Sequence, residues 1–329
     1  MEDIAQKLLT GDQRALSRSL SFLEQGSPEA MGVMKAIDPH TGGCYTVGIT
    51  GPPGAGKSTV VDRLTELLRS QGLTVGIIGV DPSSPFSGGA LLGDRIRMQR
   101  HYLDSGVFIR SVAIRSQTGG VPRLVKGMVR LLDAAGKDVV LVETVGVGQT
   151  ELGIMGVADT VLVALVPESG DAVQTLKAGI MEIADIYLVN KADRQGANQM
   201  AAAITAMLQT SLTRPEWEPP VLLTAAHTGD GIGELWEQIK KHQAFAEANS
   251  QLQDRRERRR EQEFLEIVEE ELAKRLKALV YENPGLRSAL NAVANKGLEP
   301  YSSAMEFLSA GIELKPGWNL GTSQAEDRD

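Results

Sequence analysis

Apolar residues recur along this chain in two rhythms, and the changes between them divide it. In the first forty residues Ile4, Leu8, Leu9, Leu16, Leu20 and Leu23 follow a helical spacing, which predicts a short helical lead-in ahead of a Gly- and Pro-containing stretch reaching about His40. From residue 45 short apolar runs alternate with helical patterns: YTVGIT, TVGIIGV, VFIRSVA, VVLVETV, TVLVALV, IYLVN and VLLTA. Most are continuous Val, Ile and Leu runs, as parallel strands covered on both faces require. The expected fold is α/β, a doubly wound and mainly parallel sheet.

The rhythm changes again beyond residue 245. Residues 250–280 contain no Gly or Pro and place Phe264, Val268, Leu272, Leu276 and Val280 four apart, which predicts one long amphipathic helix. Asn283, Pro284 and Gly285 interrupt it, and further helical patterns run from Leu286 to about Ala294 and from Tyr301 to Leu308. These stripes need a covering, either the sheet domain or a second subunit, and a homodimer is the expectation. The predicted organisation is a helical N-terminal extension (1–42), a P-loop domain (43–245), a helical C-terminal arm serving dimerisation (246–310) and a flexible tail (311–329). The basic run from Asp254 to Arg260 carries an interleaved Glu257 and reads as a solvated helix face or an inter-subunit salt network rather than a phosphate grip.

Chemistry first surfaces at residues 51–58, GPPGAGKS, between a predicted strand and a predicted helix. In that setting Gly51, Pro52, Pro53, Gly54, Ala55 and Gly56 form a loop whose N–H groups surround a polyphosphate at a helix N-terminus. Lys57 brings a charge to the β/γ-phosphates, Ser58 offers a hydroxyl to Mg²⁺, and Thr59 follows on the helix. The strand IYLVN ends in Asn190, Lys191 and Asp193; a carboxylate there accepts from guanine N1–H and its exocyclic amine, and adenine has no donor at N1. GTP and GDP are therefore the expected ligands. Glu143, closing VVLVET, stands where a Walker-B acid holds Mg²⁺ through water, and Gly146 can offer its N–H to a γ-phosphate. Asp81 and Asp94 are further acids near strand-end loops, and with Ser58 and Glu143 they make a candidate metal shell. Val147 stands where many GTPases place a water-orienting Gln, so hydrolysis is expected to be slow until Gln149, Lys177 or an arginine such as Arg95 or Arg115 is brought in.

Bulk composition narrows the setting. A net charge of −8 disfavours a general nucleic-acid binder, no run of about 18 apolar residues predicts a membrane span, and the acidic start lacks a signal core. With Cys44 as its single cysteine the chain can form no internal disulfide, and a cytoplasmic location is expected.

GPPGAGKST, VDPSSPFSGGALLGDRIRM, VETVGVGQTE, VPESGDAVQTLKAGIMEIAD and NKAD, in this order, resemble the MeaB/ArgK family of G proteins over about residues 45–240. The resemblance implies a GTPase chaperone of an adenosylcobalamin-dependent acyl-CoA mutase, methylmalonyl-CoA mutase or a relative, that gates cofactor loading and protects or reactivates the mutase. It implies that Asp81, Asp94 and Glu143 serve the metal, that Ala225, Ala226 and His227 back the base, and that 81–97, 146–151 and 167–178 act as switches, with Asp171 and Lys177 coupling to the partner. The chain departs from the family's pattern at RSQTGGV, at Ala225, and at Ala172 and Thr175, positions that bear on the partner more than on the nucleotide. A nickel or zinc metallochaperone GTPase and a transport-linked kinase are the alternatives; the first ordinarily carries a Cys- or His-rich tract, which Cys44 alone does not supply.

Overall fold

The computed structural model describes residues 2–82, 98, 100–114, 120–144, 153–167, 183–210 and 216–309, with Asp81 described by its backbone alone. It divides into two compact units, Met1–Glu263 and Phe264–Asp329. In the first, helices α1 (Glu2–Leu9), α2 (Gln13–Gln25) and α3 (Pro28–Ile37) precede β1 (Tyr45–Thr50), α4 (Lys57–Ser70), β2 (Val75–Pro82), β3 (Val107–Ile114), α5 (Gly120–Ala134), β4 (Val139–Thr144), β5 (Thr160–Leu165), β6 (Ile186–Asn190), α6 (Ala197–Gln209), β7 (Val221–Thr224) and α7 (Ile232–Ala248). Helix α8 (Gln251–Glu282) follows, and α9 (Pro284–Ala294) and α10 (Pro300–Ser309) complete the second unit.

The seven strands form one sheet in the order β3-β2-β4-β1-β5-β6-β7, and every ladder is parallel. The chain starts at the centre, builds outward to β3, returns through β4 and then crosses β1 to build the other half. That reversal sets a crevice at the carboxyl ends of β4, β1 and β5. Strands β1, β4, β5 and β6 are buried along their whole length. One face packs Val47, Ile49, Leu141 and Leu162 against Val60, Leu64 and Leu68 of α4 and Ile239 of α7. On the other face Val80, Val140 and Val142 meet Met128 and Leu131 of α5, while Val163 and Val189 meet Ile204 of α6. Leu8, Leu16, Leu20 and Ile37 join the α5 side, so the N-terminal helices form a layer of the core rather than a thin lead-in.

Parallel strands leave N–H groups at their amino ends, and here carboxylates take them. Asp138, Asp159 and Asp185 each stand one residue ahead of a strand and accept from the next strand over: Thr74 N at 2.7 Å, Thr46 N at 3.0 Å and Val161 N at 2.8 Å. The arginines of α8 close over two of them. Arg256 pairs with Asp159 at 2.6 Å and donates to the Gly42 and Cys44 carbonyls, and Arg259 reaches Asp159 at 3.0 Å and the Ala158 carbonyl. Arg255 lies 3.4 Å from Asp185, and Arg260 pairs with Asp38 at 3.0 Å. This corrects the sequence expectation for the basic run. Four of the run's five arginines bind acids and carbonyls of their own chain, while Arg258 and Arg260 are exposed.

Within the second unit, Asn283 caps α9 by accepting from Gly285 N and Leu286 N, which is why the helical pattern restarts there. Phe264, Leu272, Leu276 and Tyr281 are exposed.

Three outcomes follow for stability. Asp159 is 3% exposed and faces two arginines, so Asp159→Ala should lower the unfolding free energy by about 3 kcal/mol, seen as a lower urea midpoint, because uncompensated charge stays inside. Arg260→Ala, losing an exposed pair, should cost about 0.5 kcal/mol or less. Burial pushes the Asp185 carboxyl up, but the His242 and Arg255 side chains and the Val161 N–H outweigh it and hold the group below the usual carboxylate range. Its contribution is complete above an unfolded value of about 3.9 and is lost as pH falls through the lower folded one. The stability gap between the wild type and Asp185→Asn should therefore shrink as urea titrations move from about pH 5 toward pH 3.

Candidate functional site

The carboxyl ends of β1, β4 and β6 gather most of the described candidate residues. From Thr50 the chain turns through Gly51, Pro52, Pro53, Gly54, Ala55 and Gly56 and enters α4 at Lys57. Two glycines have no substitute. Gly51 has φ +136°, and a Cβ there would fall on the Ala164 carbonyl oxygen; Gly56 has φ +83°, and its Cβ would fall on the Asn190 amide. The loop holds its own lysine, since Lys57 Nζ donates to the Gly51 carbonyl at 2.7 Å and to the Pro52 carbonyl at 3.0 Å. Ser58, the second residue of α4, donates from Oγ to Glu143 Oε1 at 2.6 Å, and both are buried. Glu143 reaches it because β4 lies beside β1 with Glu143 level with Ile49. Thr59 follows on α4, and Thr144 donates to Thr50 at 2.9 Å across the same strand ends.

The second cluster is organised by Asn190, which is 2% exposed at the end of β6. Its amide donates to the Ala55 carbonyl at 2.8 Å, and its Oδ1 accepts from Ala226 N at 3.1 Å and Thr224 Oγ1 at 3.2 Å. One buried side chain thus joins the loop before α4 to the loop after β7. Lys191 then takes φ +59°, a left-handed conformation unusual for a residue with a side chain, and Ala192 N donates to the Thr224 carbonyl at 2.9 Å. This turn sets Asp193, half exposed, beside His227, with Nδ1 and Oδ1 3.9 Å apart. The loop of Ala225, Ala226 and His227 is closed by Ala225 N donating to the Asp230 carbonyl at 3.1 Å.

The sequence reading missed two residues that touch these loops. Thr224 carried no motif, being the last residue of an apolar strand. Arg63 of α4 donates from Nη2 to the His227 carbonyl at 2.8 Å, although in sequence it is one polar residue on the outer face of an amphipathic helix. Of the other candidates, the Asp81 side chain, Asp94, Arg95, Arg115, Gly146, Gln149, Asp171 and Lys177 lie outside the described residues.

A glycine-bearing loop between a central parallel strand and a helix, with a strand-end carboxylate on the helix's second residue, defines a P-loop nucleotide-binding protein. The chain belongs to the family described as methylmalonyl-CoA mutase-associated GTPase MeaB, which it matches over residues 16–280. That family comprises GTP-hydrolysing proteins of this fold. The chain is 47% identical over 307 residues to a putative GTPase of Pyrococcus horikoshii, across 92% of this chain and 96% of the relative. It is 32% identical over 302 residues to the mitochondrial methylmalonic aciduria type A homolog of Mus musculus, covering 90% and 68%. Among solved structures it resembles a LAO/AO transport system kinase, with a TM-score of 0.68 and 27% identity over 94% of this chain and 96% of that one.

The Asn190 contacts generate a contrast. Asn190→Ala removes a buried donor and acceptor serving two loops, and should lower stability without added nucleotide by about 2 kcal/mol in thermal or urea unfolding. Asp193→Ala, on a half-exposed carboxylate, should leave that stability within about 0.5 kcal/mol.

Proposed function

We propose that this chain binds GTP and GDP at the carboxyl edge of its sheet, hydrolyses GTP slowly, and uses the cycle as a chaperone of an adenosylcobalamin-dependent acyl-CoA mutase of the methylmalonyl-CoA mutase type. One juxtaposition carries the reading: the Ser58–Glu143 pair and the Asn190 junction occupy the same sheet edge in a chain of a mutase-associated GTPase family. In this reading the N–H groups of residues 51–56 and the Lys57 ammonium receive the β- and γ-phosphates, with Lys57 exchanging its loop carbonyls for phosphate oxygens. Gly146 N–H adds to the γ-phosphate. Asn190 holds the base pocket, Lys191 flanks it, Asp193 accepts from guanine, and Ala225, Ala226 and His227 form its wall.

The donor set suits Mg²⁺. Ser58 Oγ and Glu143 Oε1 are hard oxygen ligands brought within 2.6 Å, and a magnesium ion takes the rest of its shell from phosphates and water. Ser58 would hold the ion directly with Glu143 behind it, joined by Asp81 and Asp94, and the ion would supply charge to the phosphate oxygens as negative charge builds during transfer. With Val147 unable to orient water, Gln149, Lys177 or an arginine must complete the site, and docking of the mutase is the event that brings one in.

The exposed Phe264, Leu272 and Leu276 support a dimer made through the C-terminal arm. Cys44 argues against a metal-delivery role: it is buried, and burial with the nearby Asp133 pushes its thiol up to about 12. No helix among the described residues is long and apolar enough to cross a membrane.

Three measurements test the proposal. Asp193→Asn should lose GTP affinity by about a hundredfold and gain affinity for xanthosine triphosphate, whose carbonyl replaces the guanine amine, in a nucleotide competition assay. Tagged protein loaded with a non-hydrolysable GTP analogue or with GDP, passed over native extract, should retain a B12-dependent mutase in a nucleotide-dependent manner. Labelled γ-phosphate arriving on an organic acceptor rather than in water would favour a kinase instead.

A further inference from the structure

We propose that Arg63 is a positioning residue for guanine recognition, acting through the backbone of His227; the inference rests on the guanine reading given above. Arg63 lies on α4 less than two turns beyond Lys57, yet its Nη2 donates to the His227 carbonyl 164 residues away, at 2.8 Å. Its other nitrogen, Nη1, donates to Glu66 Oε2 at 2.9 Å, and Arg100 Nη1 lies 3.1 Å from the same oxygen. Arg100 is in turn paired with Asp62, whose Oδ1 is 3.0 Å from His101 Nε2 in a buried corner of α4. The Arg63 guanidinium is therefore aimed by a carboxylate that is itself held in place. Two NH groups of a planar fork bind two fixed acceptors, an orientation that a lysine cannot reproduce.

The consequence falls on three residues of loop. Ala226 N is held from inside by buried Asn190, and the His227 carbonyl is held from outside by Arg63. Between these clamps the loop stands beside Asp193, 3.9 Å from the His227 ring. A purine read by the Asp193 carboxylate must lie against this wall, so the wall sets how closely the 2-amine approaches the carboxylate. Asn190 anchors the loop to the fold, whereas Arg63, about one-third exposed, adjusts its outer half. Losing Arg63 should thus cost base discrimination rather than folding or phosphate binding.

The test uses the full chain as wild type, Arg63→Ala and Arg63→Lys, with dissociation constants for GDP, IDP, ADP and inorganic triphosphate and unfolding curves without nucleotide. IDP lacks the 2-amine, and triphosphate reports the phosphate loop alone. In Arg63→Ala, GDP should weaken about tenfold, the scale of one hydrogen bond from a charged donor, and IDP by less, so that the GDP-to-IDP preference falls. Triphosphate affinity and the unfolding midpoint should stay unchanged, and Arg63→Lys, keeping a cationic donor without the planar fork, should lie between. An unchanged GDP-to-IDP ratio in Arg63→Ala, or an equal loss for all ligands, overturns the inference. If the wild type itself fails to prefer GDP over ADP, the guanine reading falls and takes this one with it; if it does prefer GDP, the Arg63 result stands or falls alone.

Discussion

A parallel sheet buried on both faces has only its two ends at which to place polar groups. In this chain the buried apolar strand positions pack on both faces, from Val47 and Leu141 on one side to Val142 and Val163 on the other. All seven strands point the same way, so the ends differ chemically. Unpaired N–H groups collect at one and carbonyls at the other, and helix N-termini arrive at the carbonyl end. The two ends have been put to different uses.

At the amino end, negative charge satisfies the protein's own backbone. Asp138, Asp159 and Asp185 accept neighbouring N–H groups, and the α8 arginines neutralise two of them. At the carboxyl end the loop before α4 presents its backbone, and Lys57 rests on the Gly51 and Pro52 carbonyls. Asn190 lets the second end work as one unit, because a single buried amide fixes the spacing between the loop before α4 and the loop after β7.

How much of this could be read in the sequence depended on distance along the chain. Strands were legible because burial on both faces leaves an uninterrupted apolar run, and YTVGIT and VVLVET coincide with β1 and β4. Gly51, Gly56, Lys57 and Ser58 were legible because their geometry is local. The pairing of Ser58 with Glu143, 85 residues on, could be anticipated only because Ser58 opens the helix that follows one strand and Glu143 stands at the end of another. The basic run at 254–260 was misread for the opposite reason. Its partners, Asp38, Asp159 and Asp185, lie from 70 to 222 residues away and have no spacing to betray them. Arg63 was invisible on the same ground, and the depth of the N-terminal helices in the core depended on α5, which periodicity alone does not position.

Lys191 carries one more consequence. Its left-handed backbone would be free of strain if the residue were glycine, and a lysine there costs about 1 kcal/mol. The sequence nonetheless keeps a four-carbon stem and an ammonium at that point, beside the Asn190 junction. The fold thus gives up stability at a position where a more stable alternative was one residue type away. Engineering this chain for thermal robustness would meet its trade-off here first, since the most obvious stabilising change removes a side chain from the edge where the candidate site residues gather.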